Sequence, residues 1–348
     1  MRIRFITVLF VAFVGYAFTG EKLMEWMYPR YFPVRVYSFT DNELTQEKVN
    51  VGRMLFYDPI LSKDQTISCA DCHSPYNAFA HTDHDLSHGI HDSIGTRNAP
   101  ALFNLAWQNS FMWDGAIANL DMQALAPLSH PAEMDEDLAN VVKKLNESST
   151  YPNAFYAAWG DRQVTGEHLL KAIAQFQLTL VSATAKYDAV KSNTATFTPQ
   201  EEAGYALFQN HCNSCHTEPL FSNYGYANNG LAKDTTLNDM GRYGITEKAE
   251  DRFKFKIPSL RNLSYTYPYM HDGRFDKLHE VLNHYTHLQP GDSPELALKT
   301  ALPLSSKDKA DLIAFLLTLN DPSFVFDPKN KYPHDLFSKN QESKQTKK

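Results

Sequence analysis

Cys69-Ala70-Asp71-Cys72-His73 and Cys212-Asn213-Ser214-Cys215-His216 decide the reading of this chain, and they hold all four of its cysteines. Both are C-x-x-C-H, the attachment sequence for c-type haem. Two thiols one helical turn apart can add to the two vinyl groups of one porphyrin. The histidine that follows then sits beneath the iron as proximal ligand. A single copy also reads as half a zinc site or as a redox dithiol. A zinc site would pair two such dyads within about 15–20 residues, whereas here the second dyad begins at residue 212. A thioredoxin-type dithiol belongs to a βαβ pattern, and the sequence shows none. The expectation is two covalently bound c-type haems, one held by Cys69, Cys72 and His73, the other by Cys212, Cys215 and His216.

The chain around each motif reads as helix. Thr40-x-x-Glu43 and Thr198-Pro199-Gln200-Glu201 are capping-box starts, the second with proline at the first helical position. Thr165 to Lys191 carries apolar residues at helical spacing, with Glu167 and Lys171 an i,i+4 pair. Lys277 to His287 places Leu278, Val281, Leu282 and Tyr285 on one face, and Ser305 to Leu319 opens on a Ser-x-x-Asp cap. There is no sustained two-residue alternation. The expected fold is all-α: two cytochrome c-like domains, each with one covalent haem. The boundaries expected are 1–20 for a signal peptide or N-terminal anchor, 21–192 for the first domain, 197–325 for the second and 326–348 for a polar, frayed tail.

Composition narrows the class. The 348 residues are 43% hydrophobic and 21% charged, which excludes a mostly disordered chain and a polytopic membrane protein. A net charge of −7 offers no basic field for a phosphate backbone, so nucleic acid is not an expected partner. Met1 to Arg4 is a short basic start, and Phe5 to Phe18 is uncharged and apolar. That run has signal-peptide length and falls short of the roughly 20 residues of an easy membrane span. Ala17-Phe18-Thr19 is a weak cleavage site, so an uncleaved anchor stays open. The expected location is the periplasm.

The stretches VGRMLFYDPILSKDQTISCADCH, GTRNAPALFN, FMWDG and KIPSLRNLSYTYPYMHDGRF occur in that order. From about Thr45 to Asn320 the chain resembles the bacterial di-haem cytochrome c peroxidase superfamily, which includes the MauG-type maturases that oxidise protein tryptophans. The resemblance implies a peroxide-cleaving haem in the first domain, an electron-transfer haem in the second and a calcium ion between them. It also implies particular residues. Trp113 of W-D-G matches the tryptophan between the haems. Gln123 matches the peroxide-pocket glutamine, and Glu133 matches the catalytic glutamate. Each also has a plain structural reading: Trp113 as core, Gln123 as a solvated helix position, Glu133 as one more acid near a helix start.

At the far side of the second haem the better-known peroxidases place methionine and the MauG type places tyrosine. Aligning forward from Thr266 and Pro268 puts Tyr285 there, with Met270 and His284 as the alternatives. A phenolate is an anionic donor that lowers the reduction potential relative to methionine. Calcium in this family is held by the asparagine of R-N-A-P and by backbone carbonyls of T-x-P, which match Asn98, Thr266 and Pro268. An oxygen donor set suits a hard cation. The histidine that blocks the first iron in many relatives would fall at Ile90. His81, His84, His88 and His91 lie in that loop, and a shift of a residue or two would let His88 or His91 serve; the expectation is that they are surface histidines and the haem is open.

Three functions follow. One is an exported peroxidase that reduces hydrogen peroxide with electrons from a small cytochrome c or cupredoxin. The second is a MauG-type enzyme that oxidises a residue of a protein substrate. The third is a non-catalytic electron carrier.

Overall fold

The computed structural model describes residues 23–288, Leu298 and residues 301–338. The expected export segment lies outside these residues. No helix among those described is long and apolar enough to cross a membrane.

Two helix crossings organise the molecule, one for each haem motif. Helix Gln46–Tyr57 packs on Gly166–Thr179, and helix Pro199–His211 packs on Ser306–Leu317. The two crossings repeat the same device. A Cβ at Gly52 would lie 1.9 Å from the Ala172 carbonyl oxygen, and one at Gly204 would lie 1.9 Å from that of Asp311. Only glycine lets the backbones approach so closely. One turn beyond each glycine a fully buried phenylalanine meets a phenylalanine of the partner helix. Phe56 lies 5.2 Å from Phe176 and Phe208 lies 5.2 Å from Phe315, measured between ring centroids.

Side-chain caps start these helices. The Thr165 hydroxyl accepts from the His168 N–H, Thr198 from Glu201 and Ser305 from Asp308; the Glu201 and Asp308 carboxylates accept in return from the N–H of Thr198 and Ser305. The Thr40-x-x-Glu43 start is displaced. The helix begins at Gln46, and Thr45 is the residue whose hydroxyl caps it, at 3.3 Å from the Lys48 nitrogen.

The helix expected from Thr165 to Lys191 is divided. Gly166–Thr179 and Lys186–Lys191 are separate helices. Tertiary hydrogen bonds capture the residues between them. Asn104 bonds both the N–H and the carbonyl of Ser182, at 3.0 Å each. The buried Asp321 carboxylate accepts from the Thr184 N–H at 2.9 Å, from its hydroxyl at 2.7 Å and from the Ser182 hydroxyl at 3.1 Å. These bonds use backbone groups that helix continuation would need, and local periodicity carries no sign of them.

Extended structure is slight among the described residues: a two-residue antiparallel ladder pairs Tyr226–Ala227 with Phe255–Lys256, beside isolated bridges. Three hydrophobic clusters form the core, two built mainly from residues before the second haem motif and one from residues around and after it. Of the 326–348 tail expected to fray, residues 327–338 pack back on the first half. Arg53 donates to the Lys331 and Pro328 carbonyls, and Leu336 and Phe337 lie against the second cluster.

Candidate active site

One cavity of about 630 Å³ runs between the two halves. Cys72 and His73 line one end, Cys212, Cys215 and His216 the other, with Trp113 in the wall as well. None of the four cysteines is in a disulfide. Cys69 is half-buried against the first two hydrophobic clusters. Burial raises the Cys69 and Cys212 thiols to about 12 and Cys72 to about 11. These three thiols are thus protonated, uncharged groups at neutral pH.

The two histidines share one arrangement. His73 caps the short helix Cys69–Cys72, and its Nδ1 lies 2.8 Å from the Phe79 carbonyl oxygen. His216 Nδ1 lies 3.1 Å from the Pro258 carbonyl oxygen and 3.3 Å from that of Phe221. A carbonyl can only accept, so each Nδ1 carries the proton and each Nε2 keeps its lone pair. Burial first lowers both imidazoles to about 4, which keeps them neutral. Two neutral imidazoles, each backed by a carbonyl and standing beside paired thiols in the wall of an apolar cavity, have the donor chemistry of proximal haem ligands.

Glu133, Gln123 and Trp113 all line this cavity. Burial raises the Glu133 carboxyl above its ordinary value, and His130, 3.8 Å away, opposes the shift. The Gln123 side-chain oxygen accepts from Gln177 at 3.3 Å, and its amide nitrogen lies 3.8 Å from the Met112 sulfur. Trp113 donates its indole N–H to the Asn98 carbonyl at 2.8 Å, and its own carbonyl accepts from the Lys256 N–H at 2.7 Å. Gln177 and Lys256 escaped sequence reasoning, because no spacing relates them to the haem motifs.

Tyr285 and Met270 both line the second end. Tyr285 projects from helix Leu278–Thr286, and burial raises its phenol to about 12. Asn229 stands by both: its amide lies 3.4 Å from the Met270 sulfur, and it opposes the rise of the Tyr285 phenol. His284 faces the Asn229 carbonyl at 2.9 Å. Asn98, Thr266 and Pro268 line the same cavity; the Asn98 amide donates to the Asp85 carbonyl at 3.0 Å, and its backbone N–H to that of His271 at 2.8 Å. Arg97 beside it spans Asp114 at 2.7 Å and Asp239 at 2.6 Å. Among the four loop histidines, His84 and His88 stack with centroids 4.1 Å apart and His81 meets His84 edge-on at 5.6 Å. None of the four lines the cavity.

The family model "Di-haem cytochrome c peroxidase" matches residues 46–196. The methylamine utilization protein MauG of Methylorubrum extorquens is 34% identical over 80% of this chain and 79% of its own length. This chain belongs to the di-haem cytochrome c peroxidase family. The cytochrome c peroxidase Ccp of Escherichia coli is 33% identical over 79% of this chain and 58% of its own. The crystal structure of a MauG-like protein associated with microbial copper homeostasis superposes with a TM-score of 0.80 at 30% identity, covering 89% of this chain and 99% of that one. Membership of the di-haem family implies two c-type haems, and the two histidine–thiol sites described above fit them.

Proposed function

We propose that the chain is an exported, periplasmic di-haem peroxidase that reduces hydrogen peroxide to water at the haem of His73, with electrons passed through the haem of His216. The observation that carries this reading is the shared cavity, in which Glu133, Gln123 and Trp113 stand with both C-x-x-C-H motifs. Residues 21–192 form the first cytochrome c domain and 197–325 the second. A small cytochrome c or cupredoxin supplies the electrons. Tyr285 would hold the iron of the second haem through its phenolate oxygen, and Asn98, Thr266 and Pro268 would hold calcium through oxygen atoms.

When bound, the haems supply the iron that takes up peroxide and the electrons that split its O–O bond. The chain's own residues manage protons and position. The Glu133 carboxylate takes a proton from the near peroxide oxygen and returns it to the far one, so that water leaves. The Gln123 amide N–H groups orient the peroxide, with the carbonyl end held by Gln177. Reduction consumes two electrons and two protons and yields two waters. A non-catalytic carrier would need no half-buried carboxyl in the wall of this cavity.

Tyr285 favours a second reading, MauG-type oxidation of a residue on a protein substrate. An anionic ligand at the second iron stabilises oxidised states and disfavours a high-potential electron-input haem. The structural likeness to a MauG-like protein points the same way.

Glu133→Gln tests the common core of both readings. Stopped-flow absorbance with hydrogen peroxide should show a rate lower by about 10²-fold or more, the usual worth of a positioned acid–base group, while both ferric haem spectra stay unchanged. The working form is the carboxylate and burial raises its pKa. The wild-type rate should therefore fall on the acid side at a pH above the ordinary glutamate range, and the Gln variant should lack that limb. Unaltered kinetics would make Glu133 a helix-terminal acid only.

A further inference from the structure

Beside Trp113 the two halves hold a half-buried tyrosine that the proposed chemistry has not used. Tyr226 sits on the short ladder directly opposite Lys256. Its phenol reaches across the segment that carries Trp113. Gly115 of the W-D-G motif has φ +73°, and a Cβ there would lie 1.7 Å from the Tyr226 hydroxyl oxygen. The glycine both adopts the left-handed turn and leaves room for the phenol. The Tyr226 hydroxyl is hydrogen-bonded to the Ser110 hydroxyl. Lys256 Nζ donates to that same Ser110 oxygen at 2.9 Å, and Ser110 donates to the Asn109 side-chain oxygen at 3.1 Å. The Lys256 N–H in turn holds the Trp113 carbonyl. Phenol, hydroxyl and amine thus form one line, fixed to the backbone of the tryptophan between the haem sites.

The charges around the ring shape what it can do. The Arg242 guanidinium lies 3.9 Å from the ring centroid and Lys256 Nζ lies 5.1 Å from it. Cations on a ring face disfavour a positively charged ring. An electron can then leave Tyr226 only as its proton leaves too, which gives the neutral phenoxyl radical. The proton needs an acceptor. Lys256 is buried and lines the cavity. Burial first, and then Arg242, lower its ammonium to about 8, with Asp114 opposing. Arg242 donates to the Asp114 carbonyl and lies 4.0 Å from the Asp251 carboxylate, and Arg97 pairs the Asp114 carboxylate. A substantial fraction of Lys256 is therefore neutral amine in mildly alkaline solution.

We propose that Tyr226 is a second redox-active side chain beside Trp113, giving up one electron to the oxidising equivalents that hydrogen peroxide delivers while its phenolic proton passes through Ser110 to Lys256. The inference rests on the peroxide chemistry proposed above. The O–H bond of Tyr226 breaks, the Ser110 hydroxyl takes that proton and, turned from Asn109 toward the neutral Lys256 amine 2.9 Å away, releases its own to Nζ, which becomes an ammonium. The electron travels toward peroxide, which takes two electrons and two protons in all to become two waters. Ser110 and Lys256 act through Tyr226 and are positioning residues.

The experiment is freeze-quench electron paramagnetic resonance of the two-haem protein mixed with hydrogen peroxide, with haem absorbance followed in parallel. A tyrosyl radical signal is expected that narrows when tyrosine is ring-deuterated. Tyr226→Phe should reduce it about tenfold or more while pyridine haemochrome still counts two haems. Below the Lys256 pKa the neutral amine falls about tenfold per pH unit, so the wild-type signal should climb with pH toward 8. Lys256→Met, which removes the base, and Ser110→Ala, which cuts the link and keeps the phenol, should each flatten that profile. Haem absorbance that responds to peroxide while the tyrosyl signal is absent, or survives Tyr226→Phe, overturns the assignment and leaves the peroxidase reading standing. The same holds for a pH profile that Lys256→Met and Ser110→Ala leave untouched. Haem absorbance that never responds to peroxide overturns both.

Discussion

Tyr285 and Met270 stand at the same end of the cavity, with the Asn229 amide 3.4 Å from the Met270 sulfur. The choice of iron ligand between them separates an anionic donor from a neutral one. Tyr285→Phe removes the oxygen and keeps the ring, so packing changes little. If the phenolate binds iron, wild type should lack the weak near-infrared band of a Met–iron bond. The Phe variant should then show a changed second-haem spectrum and a higher reduction potential. Met270→Leu should move neither. Loss of a near-infrared band in Met270→Leu would instead transfer the ligand role to Met270. Sequence pattern placed Tyr285 on the inward face of its helix, because helical periodicity is local. Asn229 and Gln177 were not legible. Each is brought to the site by a contact between segments distant in the chain, and neither belongs to a motif.

At the scale of elements, each haem motif follows a helix whose glycine touches the backbone of a crossing helix. Gly52→Ala and Gly204→Ala each place a methyl 1.9 Å from a carbonyl oxygen. Overpacking of this kind costs roughly 1–3 kcal/mol. Urea unfolding should show a lower midpoint in each variant. An unchanged midpoint would mean that the crossing relaxes freely. The haem motifs divide along the same line. Cys69→Ala with Cys72→Ala should leave one covalent haem by pyridine haemochrome where the intact protein carries two; zero or one in the intact protein would remove the basis of the peroxidase reading. The capping boxes at Thr198 and Ser305 were legible because every partner lies within three residues. The break after Thr179 was not. Asn104, Asn262 and Asp321 impose it from distant parts of the chain.

Across the whole molecule, Arg261 joins three regions. Its guanidinium is fully buried and meets both Asp188 oxygens at 2.8 and 2.7 Å and the Pro219 carbonyl at 2.8 Å. The N-terminal arm adds Tyr31, whose hydroxyl donates to Asp188 at 2.6 Å. Arg261→Met leaves Asp188 without its buried counter-ion. Breaking one partner of a buried pair typically costs about 3–5 kcal/mol. A drop of that size in unfolding free energy is expected, and Arg261→Met with Asp188→Leu together should recover part of it. A single variant as stable as wild type would show that the pair is not needed to join the halves.

The two C-x-x-C-H motifs, the absence of a spare cysteine and the helical periodicities around them were enough to specify a helical chain with two haem-binding sites. Each of these signals is complete within a turn or two of helix, so one sequence contains it. The separation between the motifs did not reveal that they open into one cavity, nor that Trp113 is tied to Asn98 on one side and to Lys256 on the other. Nor did it show that residues 327–338 fold back onto the first half. Those outcomes depend on side chains from remote segments meeting to satisfy buried donors, acceptors and charges, and only the folded chain decides which ones meet.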